Sequence, residues 1–420
     1  MEEIVSLCKR RGFIYQGSEI YGGLAGTWDY GPLGVELKRN VMNAWWRFFV
    51  EQRDDMYGVD AAIIMNPKTW VASGHTATFS DPLVECKNCH SRFRADKIDL
   101  NDKCPVCGQK DWSEVRQFNM MFETNVGPVK DDKSTAYLRP ETAQGIFTNY
   151  KNVLDSFYPD LPFGIAQTGK AFRNEISPRD FIFRSREFEQ MEIEYFVDPE
   201  AWSENFDKLL ADIYKFLDQM GIPKDKIHEL EVPEADRAHY SKRTIDIEFD
   251  FPIGREELLG LAYRTDFDLQ NIARESGKSM EYRPKDTSKQ PFVPHVIEPS
   301  FGVERLIMAI LTTAYTQDGD RTYLKLPKSI APVEKVVSPL LKNKPELVSK
   351  ACEVYDSLKT AGQKVMWDDS GNIGKRYAKA DEIGVPECIV VDFTTLEDDT
   401  ITIRDRDTTE QKRVKISEIS

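Results

Sequence analysis

Nowhere in its 420 residues does the chain hold an unbroken apolar run near the roughly 20 residues that span a bilayer, so no membrane segment is expected. It lacks internal repeats and low-complexity tracts. The opening MEEIVSLCKRRGFIY starts acidic and has no apolar h-region, which argues against a secretory signal and for a cytoplasmic protein. Positive charge is not in excess: 56 Lys and Arg against 70 Asp and Glu give −14. That excludes a sequence-independent coat for nucleic acid, and DNA is not an expected partner. RNA read locally by shape, stacking and a few basic side chains stays open. Cysteine is sparse, at seven, and Cys8, Cys352 and Cys388 are scattered, as reduced and partly buried thiols would be.

What remains is an ordinary soluble composition, 40% apolar and 30% charged, on a chain long enough for more than one domain. GPLG (31–34) reads as a turn and helix start, and VELKRNVMNAWWRFFV (35–50) has helical spacing. VDAAIIM (59–65) reads as a strand stopped by Pro67. Residues 298–315 read as a strand end running into a helix apolar nearly all round, hence buried. Composition shifts at LPKSIAPVEK (326–335), a linker with two prolines. Beyond it strand and helix alternate, which predicts a small α/β domain closed by a hairpin.

Two local patterns carry chemistry. In FRNEISPRDFIFRSREFEQMEIEYF (172–196), arginines and carboxylates interleave with aromatics. Strand-like alternation predicts a hairpin over 167–175 and 183–196. It places Arg173 with Glu175 on one face, and Arg186, Phe188, Gln190, Glu192 and Glu194 together on another. Such a surface suits a ligand with phosphates, an ammonium and a flat base; a solvated edge hairpin with surface ion pairs is the alternative. The second pattern is CKNC (86–89) and CPVC (104–107), with 14 residues between them. Paired CxxC knuckles at this spacing point to a closed, structural Zn2+ site on Cys86, Cys89, Cys104 and Cys107. Two disulfides, opposed by a reducing compartment, or an empty knuckle are the alternatives. His90 reads as solvent-facing, while His75 and His295 read as loop-ordering residues.

WDYGPLG, WVASGHTATFSDPLVEC, RPETAQGIF, FRNE…FRSREFEQMEIEYF, ELLGLAYRTDFDL, PHVIEPSFGVER and DDSGNIGKRYAKADEIGVPECIVVDF occur in this order from about residue 5 to 415. Together they resemble the dimeric glycyl-tRNA synthetases of the class II aminoacyl-tRNA synthetase family. The resemblance implies an α+β fold: an antiparallel sheet flanked by helices over residues 1–328, a cysteine-knuckle insertion at 84–112, and a C-terminal α/β anticodon-binding domain at 329–420. It implies a ligase that joins glycine to tRNA(Gly) through an adenylate. ATP with Mg2+ would be the substrate complex and a homodimer built by residues 35–67 the assembly. Trp45 and Trp46 could equally be core.

Carried over residue by residue, the resemblance assigns Arg173 to the glycine carboxylate and the α-phosphate, Glu175 to the adenine amino group, Phe188 to the adenine ring, and Arg184 or Arg186 to the outer phosphates. Arg305 would take the γ-phosphate over the adenine, and Glu257 the magnesium, beside Leu258. Asn174, Phe183, Ser185, Glu187, Gly302, Val303 and Glu304 complete the nucleotide positions. The glycine ammonium falls to Glu141, Glu192 and Glu298 with Ser300. Glu189, Gln190, Met191, Pro299 and Phe301 lie around it, and Phe188, Gly302 and Arg94 of the RAD tripeptide lie nearby. Lys375, Arg376, Tyr377 and Lys379 would meet unstacked anticodon bases, and Arg179 the acceptor stem. A glycine pocket rejects larger amino acids by size, so no editing domain is expected. QNIAR after RTDFDL departs from the family's pattern. A synthetase for another amino acid and a non-catalytic, synthetase-like RNA-binding protein are the competing readings; the presence of Arg173 and Arg305 argues against the latter.

Overall fold

The computed structural model describes residues 1–131, 134–238 and 240–419. Helix α1 (Glu2–Arg11) ends on Gly12 at φ 77°, a left-handed turn that glycine adopts without strain. Helix α2 (Pro32–Trp46) starts with proline in its first turn, where no backbone donor is needed. Its stripe of Leu37, Val41 and Trp45 is buried. Then come strand β1 (Met56–Gly58) and a three-stranded sheet of β2 (Ser80–Glu85), β3 (Arg92–Arg94) and β4 (Arg116–Asn119), in the order β3-β2-β4.

Next follow α3 (Ala143–Phe157), β5 (Phe163–Phe172), β6 (Glu187–Val197), α4 (Trp202–Gln219), β7 (Ile227–Glu231), β8 (Arg243–Phe251), β9 (Gly254–Thr265), α5 (Phe267–Ser276), β10 (His295–Gly302) and α6 (Val303–Ala314). The strands form a seven-stranded sheet, β7-β8-β9-β10-β6-β5-β1, antiparallel except where β1 joins β5. Its rear face packs Met191, Ile193 and Phe301 against Trp45, Phe216 and the buried Leu306, Ile307, Ile310 and Leu311 of α6. Each such side chain contributes about 1.5–3 kcal/mol of burial. The front face is polar at its centre and apolar where α3 and α5 cover it.

The C-terminal unit runs β11 (Lys335–Pro339), α7 (Pro345–Thr360), β12 (Val365–Trp367), α8 (Ile373–Glu382), β13 (Glu387–Val391), α9 (Phe393–Asp398), β14 (Thr400–Asp405) and β15 (Gln411–Lys415). Its sheet order is β12-β11-β13-β14-β15, with β11 parallel to both neighbours and an antiparallel hairpin at the edge.

Several expectations need correction. The strand before Pro67 is Met56–Gly58, not 59–65. After Val59 N–H donates to Ala166 the chain leaves the edge of the sheet, the Ala61 carbonyl accepts from Arg139 instead, and Ile63 and Ile64 stay exposed. The charged hairpin ends sooner than alternation suggests: β5 stops at Phe172 and β6 starts at Glu187, so Arg173, Glu175, Arg184 and Arg186 sit in the connecting loop. Trp45 is fully buried core; Trp46 is half-buried with its ring over Gly58, where a Cβ would lie 2.5 Å from it. The 326–335 stretch is packed, not free: Ile330 and Ala331 are buried and their carbonyls accept from Asn40. Cys8 and Cys388 are fully buried, and Cys352 is exposed.

Candidate active site

Register builds the site. Glu192 lies opposite Gln167 on β5 and Ser300 on β10, and β9 places Gly260 opposite Ser300 and Ala262 opposite Glu298. Alternation then puts Gln190, Glu192, Glu194, Glu298 and Ser300 on the front face, opposite Met191, Ile193 and Phe301. Two adjoining cavities open there, sharing Arg173, Gln190, Glu257 and Ser300 in their walls.

The first, about 250 Å3, is lined by Arg94, Arg173, Glu175, Phe183, Arg184, Ser185, Phe188, Glu257, Leu258, Gly302, Glu304 and Arg305, with Met120 from the end of the knuckle sheet. The Arg173 guanidinium lies between the rings of Phe188 (5.2 Å) and Phe79 (5.5 Å), and its Nε donates to the Pro140 carbonyl at 3.1 Å. Arg305 sits 4.5 Å over the Phe183 ring and pairs with Glu257 at 2.9 Å. That arginine holds the Glu257 carboxyl below its ordinary range. Burial, with Glu257 and Glu248 nearby, pushes Asp246 up to about 7.

The second cavity, about 270 Å3, is walled by carboxylates: Glu141, Glu192, Glu298, Asp246 and Glu257. Glu192 is locked, with Oε1 accepting from Ser300 Oγ (2.6 Å) and Gln190 Nε2 (2.7 Å) and Oε2 from the Thr142 amide (3.1 Å) and hydroxyl. Burial, then the neighbouring Glu141, raises its pKa. For Glu141 burial also pushes upward, but His75 at 3.3 Å, Arg264 and Arg173 together hold it well below the usual range. Burial raises Glu298 to about 8 against the pull of Arg264.

Arg264 is the residue that sequence reasoning missed. Alternation from Gly260 and Ala262 puts it on the same front face, and a register shift between Tyr263 and Thr265, with Thr265 at φ 60°, leaves it outside the ladder. Fully buried, it donates to Asp268 at 2.8 and 2.9 Å and to Glu298 at 2.7 Å, 3.7 Å from the Tyr240 ring centre. Gln144 ties Asp268 (3.0 Å) to Glu141 (3.3 Å). The RTDFDL run contained this pair at i,i+4, and the signal was an arginine followed by two aspartates directly after the apolar run LLGLAY.

Other expected positions face elsewhere. Met191, Phe301 and Val303 point into the rear core. Asn174 hydrogen-bonds through its amide to Met120, and Arg186 donates to the Ala25 and Glu175 carbonyls, outside both cavities. Glu187 pairs with Lys170, and Glu189 with Lys38 at 2.8 Å; Pro299 also lines neither cavity. His75 is anchored between Ser73 (2.8 Å) and Glu141, and His90 is exposed. In α8 the expected basic face breaks up. Arg376 is buried, its guanidinium donating to the carbonyls of Pro339, Asp369, Ser370 and Gly371, so it cannot meet a base. Tyr377 lies 4.8 Å from Arg404, and Lys379 bonds Ser370; Lys375 is exposed. Arg179 is largely exposed beside Asp180.

The four cysteines converge, every Sγ within 4.8 Å of the others, with Cys86–Cys107 at 3.6 Å and Cys89–Cys104 at 3.7 Å. Four thiolates at about 2.3 Å from zinc would stand about 3.8 Å apart, whereas a disulfide needs about 2.05 Å. The sulfurs are spaced for an ion. No helix among the described residues is long and apolar enough to cross a membrane.

Against known proteins, residues 122–314 match the family model described as tRNA synthetase class II core domain (G, H, P, S and T), and residues 334–420 match the anticodon binding domain. The glycine–tRNA ligase of Clostridium kluyveri is 47% identical, covering 100% of this chain and 96% of its own. Those of Lachnospira eligens and Deinococcus radiodurans are 48% and 45% identical, each covering 100% of this chain and 97% of its own.

Proposed function

The chain belongs to the glycine–tRNA ligase family of class II synthetases, and from that premise we propose how its two cavities divide the work. It is an enzyme that uses ATP to attach glycine to tRNA for protein synthesis, by way of glycyl-adenylate. In our reading the arginine-lined cavity holds ATP and the acid-walled one holds glycine, with Arg173 on the boundary.

The carrying observation is that shared wall: a cation at the junction of an arginine chamber and a carboxylate chamber. The glycine carboxylate attacks the α-phosphate and pyrophosphate leaves. Arg173, braced between two rings, would grip both oxygens as charge moves from one to the other. Phe188 would stack on the adenine and Glu175 accept from its amino group. Arg184 and Arg305 would take the outer phosphates, and Arg305 would leave Glu257 as they arrive. Magnesium would come with the nucleotide and offset phosphate charge, and Glu257 would be the carboxylate that holds it. Glu141, Glu192 and Glu298 would receive the ammonium. No general base is required, since the nucleophile is already a carboxylate.

The catalytic unit in this reading is residues 1–328, and residues 329–420 read the anticodon. Zinc is the metal whose size and ligand preference the cysteine cluster fits, as a structural ion with no open position. The assembly is a homodimer built by residues 35–67, which hold the edge strand β1 and, beyond it, the exposed Ile63 and Ile64.

ATP–pyrophosphate exchange tests the division. Glycine alone should stimulate it, and Arg173→Ala should lower it by about 10²–10³-fold with an unchanged melting temperature. Near-normal exchange in that variant removes Arg173 from its assigned role.

A further inference from the structure

The sheet that carries the cysteine cluster reaches the nucleotide cavity. Cys86 follows β2 directly, and β3 begins three residues after Cys89; its last residue, Arg94, lines the cavity. Arg94 is fixed by Asp81 on β2 (2.9 Å) and by both oxygens of Asp96 (2.9 and 3.1 Å). β4 leads into Met120, a second wall residue. The loop that carries Glu175 and Arg184 into the cavity is tied to this sheet at two points. Asn174 N–H donates to the Met120 carbonyl at 2.7 Å, and Ser177 Oγ donates to the Arg92 carbonyl at 3.1 Å. Within the loop, Asp180 and Phe181 both have left-handed backbone (φ 62° and 57°), so it needs outside support to hold that shape. The knuckle itself has a small core: Phe93 lies edge-on to Trp112 at 5.7 Å, and Val84, Cys86 and Cys104 are its buried centre.

We infer that the four-cysteine site is a brace for the nucleotide cavity: a metal held by Cys86, Cys89, Cys104 and Cys107 fixes β3, and β3 in turn fixes Arg94 and the loop from Arg173 to Arg186. Arg94 and Ser177 are positioning residues, and the ion never meets substrate. The inference rests on the zinc reading above for its metal half and on the Ser177–Arg92 contact for its protein half, and the two fail separately.

The test uses the full chain, with zinc content measured per chain. In the zinc-loaded protein, Ser177→Ala should keep its metal and melting temperature, weaken ATP binding about 2- to 5-fold as the loss of one hydrogen bond does, raise KM for ATP and leave KM for glycine in place. Stripping the metal by chelation, or Cys104→Ser, should weaken ATP binding about 3- to 10-fold and speed amide exchange across 174–184, with no change across 373–382. Metal loss should have a smaller effect in the Ser177→Ala background than in the parent, since part of it runs through that contact. A stripped protein that binds ATP normally with unchanged exchange in that loop overturns the metal half. Purified chain without zinc also overturns that half, together with the reading beneath it. Native ATP affinity in Ser177→Ala overturns the protein half.

Discussion

Arg264→Gln is the substitution with the most to say about the acid chamber. The guanidinium makes three charge-assisted bonds, two to Asp268 and one to Glu298, and all three residues are buried. Glutamine leaves both carboxylates without their cation, beside Glu192 and Glu194. Removing one partner of a buried pair costs about 3–5 kcal/mol, because the remaining charge is stranded. Against a total of about 5–15 kcal/mol that is a large fraction, and in a unit of this size it corresponds to a melting temperature lower by about 4–7 °C. Adding Asp268→Asn removes one stranded charge, so the double variant should recover about 1–3 kcal/mol relative to the sum of the singles. Calorimetry of the four proteins in the cycle reads both numbers, and exchange assays on the folded fraction should show KM for glycine raised with KM for ATP nearly unchanged. A single variant melting within 2 °C of the parent, or strict additivity in the cycle, refutes the view that Arg264 holds the chamber together.

Glu194 gives a pH prediction: it is fully buried, neither oxygen has a hydrogen-bond partner among the described residues, and burial followed by Glu298 raises its pKa well above the ordinary value. Its protonated form adds stability fully below the unfolded value near 4.5, and that contribution is lost as pH rises toward the folded value. The melting temperature of Glu194→Gln relative to the parent should therefore climb as pH rises above about 4.5 toward the raised folded value; a flat or falling difference contradicts a neutral Glu194. Arg376→Gln should destabilise the C-terminal unit by about 3 kcal/mol and raise KM for tRNA while glycine-dependent exchange holds, because the guanidinium binds the carbonyls that end β11 and follow β12; loss of exchange would contradict this. Ile63→Asp with Ile64→Asp should yield monomers in sedimentation at micromolar concentration, and an intact dimer would move the interface elsewhere.

What the sequence shows and what it hides divide along physical lines. Residues whose chemistry is unusual for their neighbourhood stood out, Glu192 between Met191 and Ile193 and the cysteines in pairs, whereas Glu141 and Glu298 came from the family's motifs. The strand–helix junction at Gly302–Val303 and the alternating C-terminal elements followed from periodicity. Periodicity failed where tertiary contacts overrule it. Residues 59–65 are β-branched enough for a strand but run out of ladder partners. The loop from 173 to 186 keeps the alternation of the strands it joins, although only Arg173 N–H to Arg186 continues the pairing. Arg376 sits on a helix with Lys375 and Lys379, and nothing local reveals that four carbonyls claim it. The Arg264–Asp268 pair spans a bulge, and a bulge is set by the partner strand, not by the strand's own residues.

Arg173 lies in the wall shared by the arginine-lined and the carboxylate-lined chambers. A crystal structure with a non-hydrolysable glycyl-adenylate analogue shows whether it serves both. The adenine ring should lie against Phe188, the phosphate mimic and the glycyl oxygen both within hydrogen-bond reach of Arg173, and the ammonium enclosed by Glu141, Glu192 and Glu298. An analogue bound with Arg173 turned away from it, or with its ammonium in solvent, would rule out this division of the two chambers.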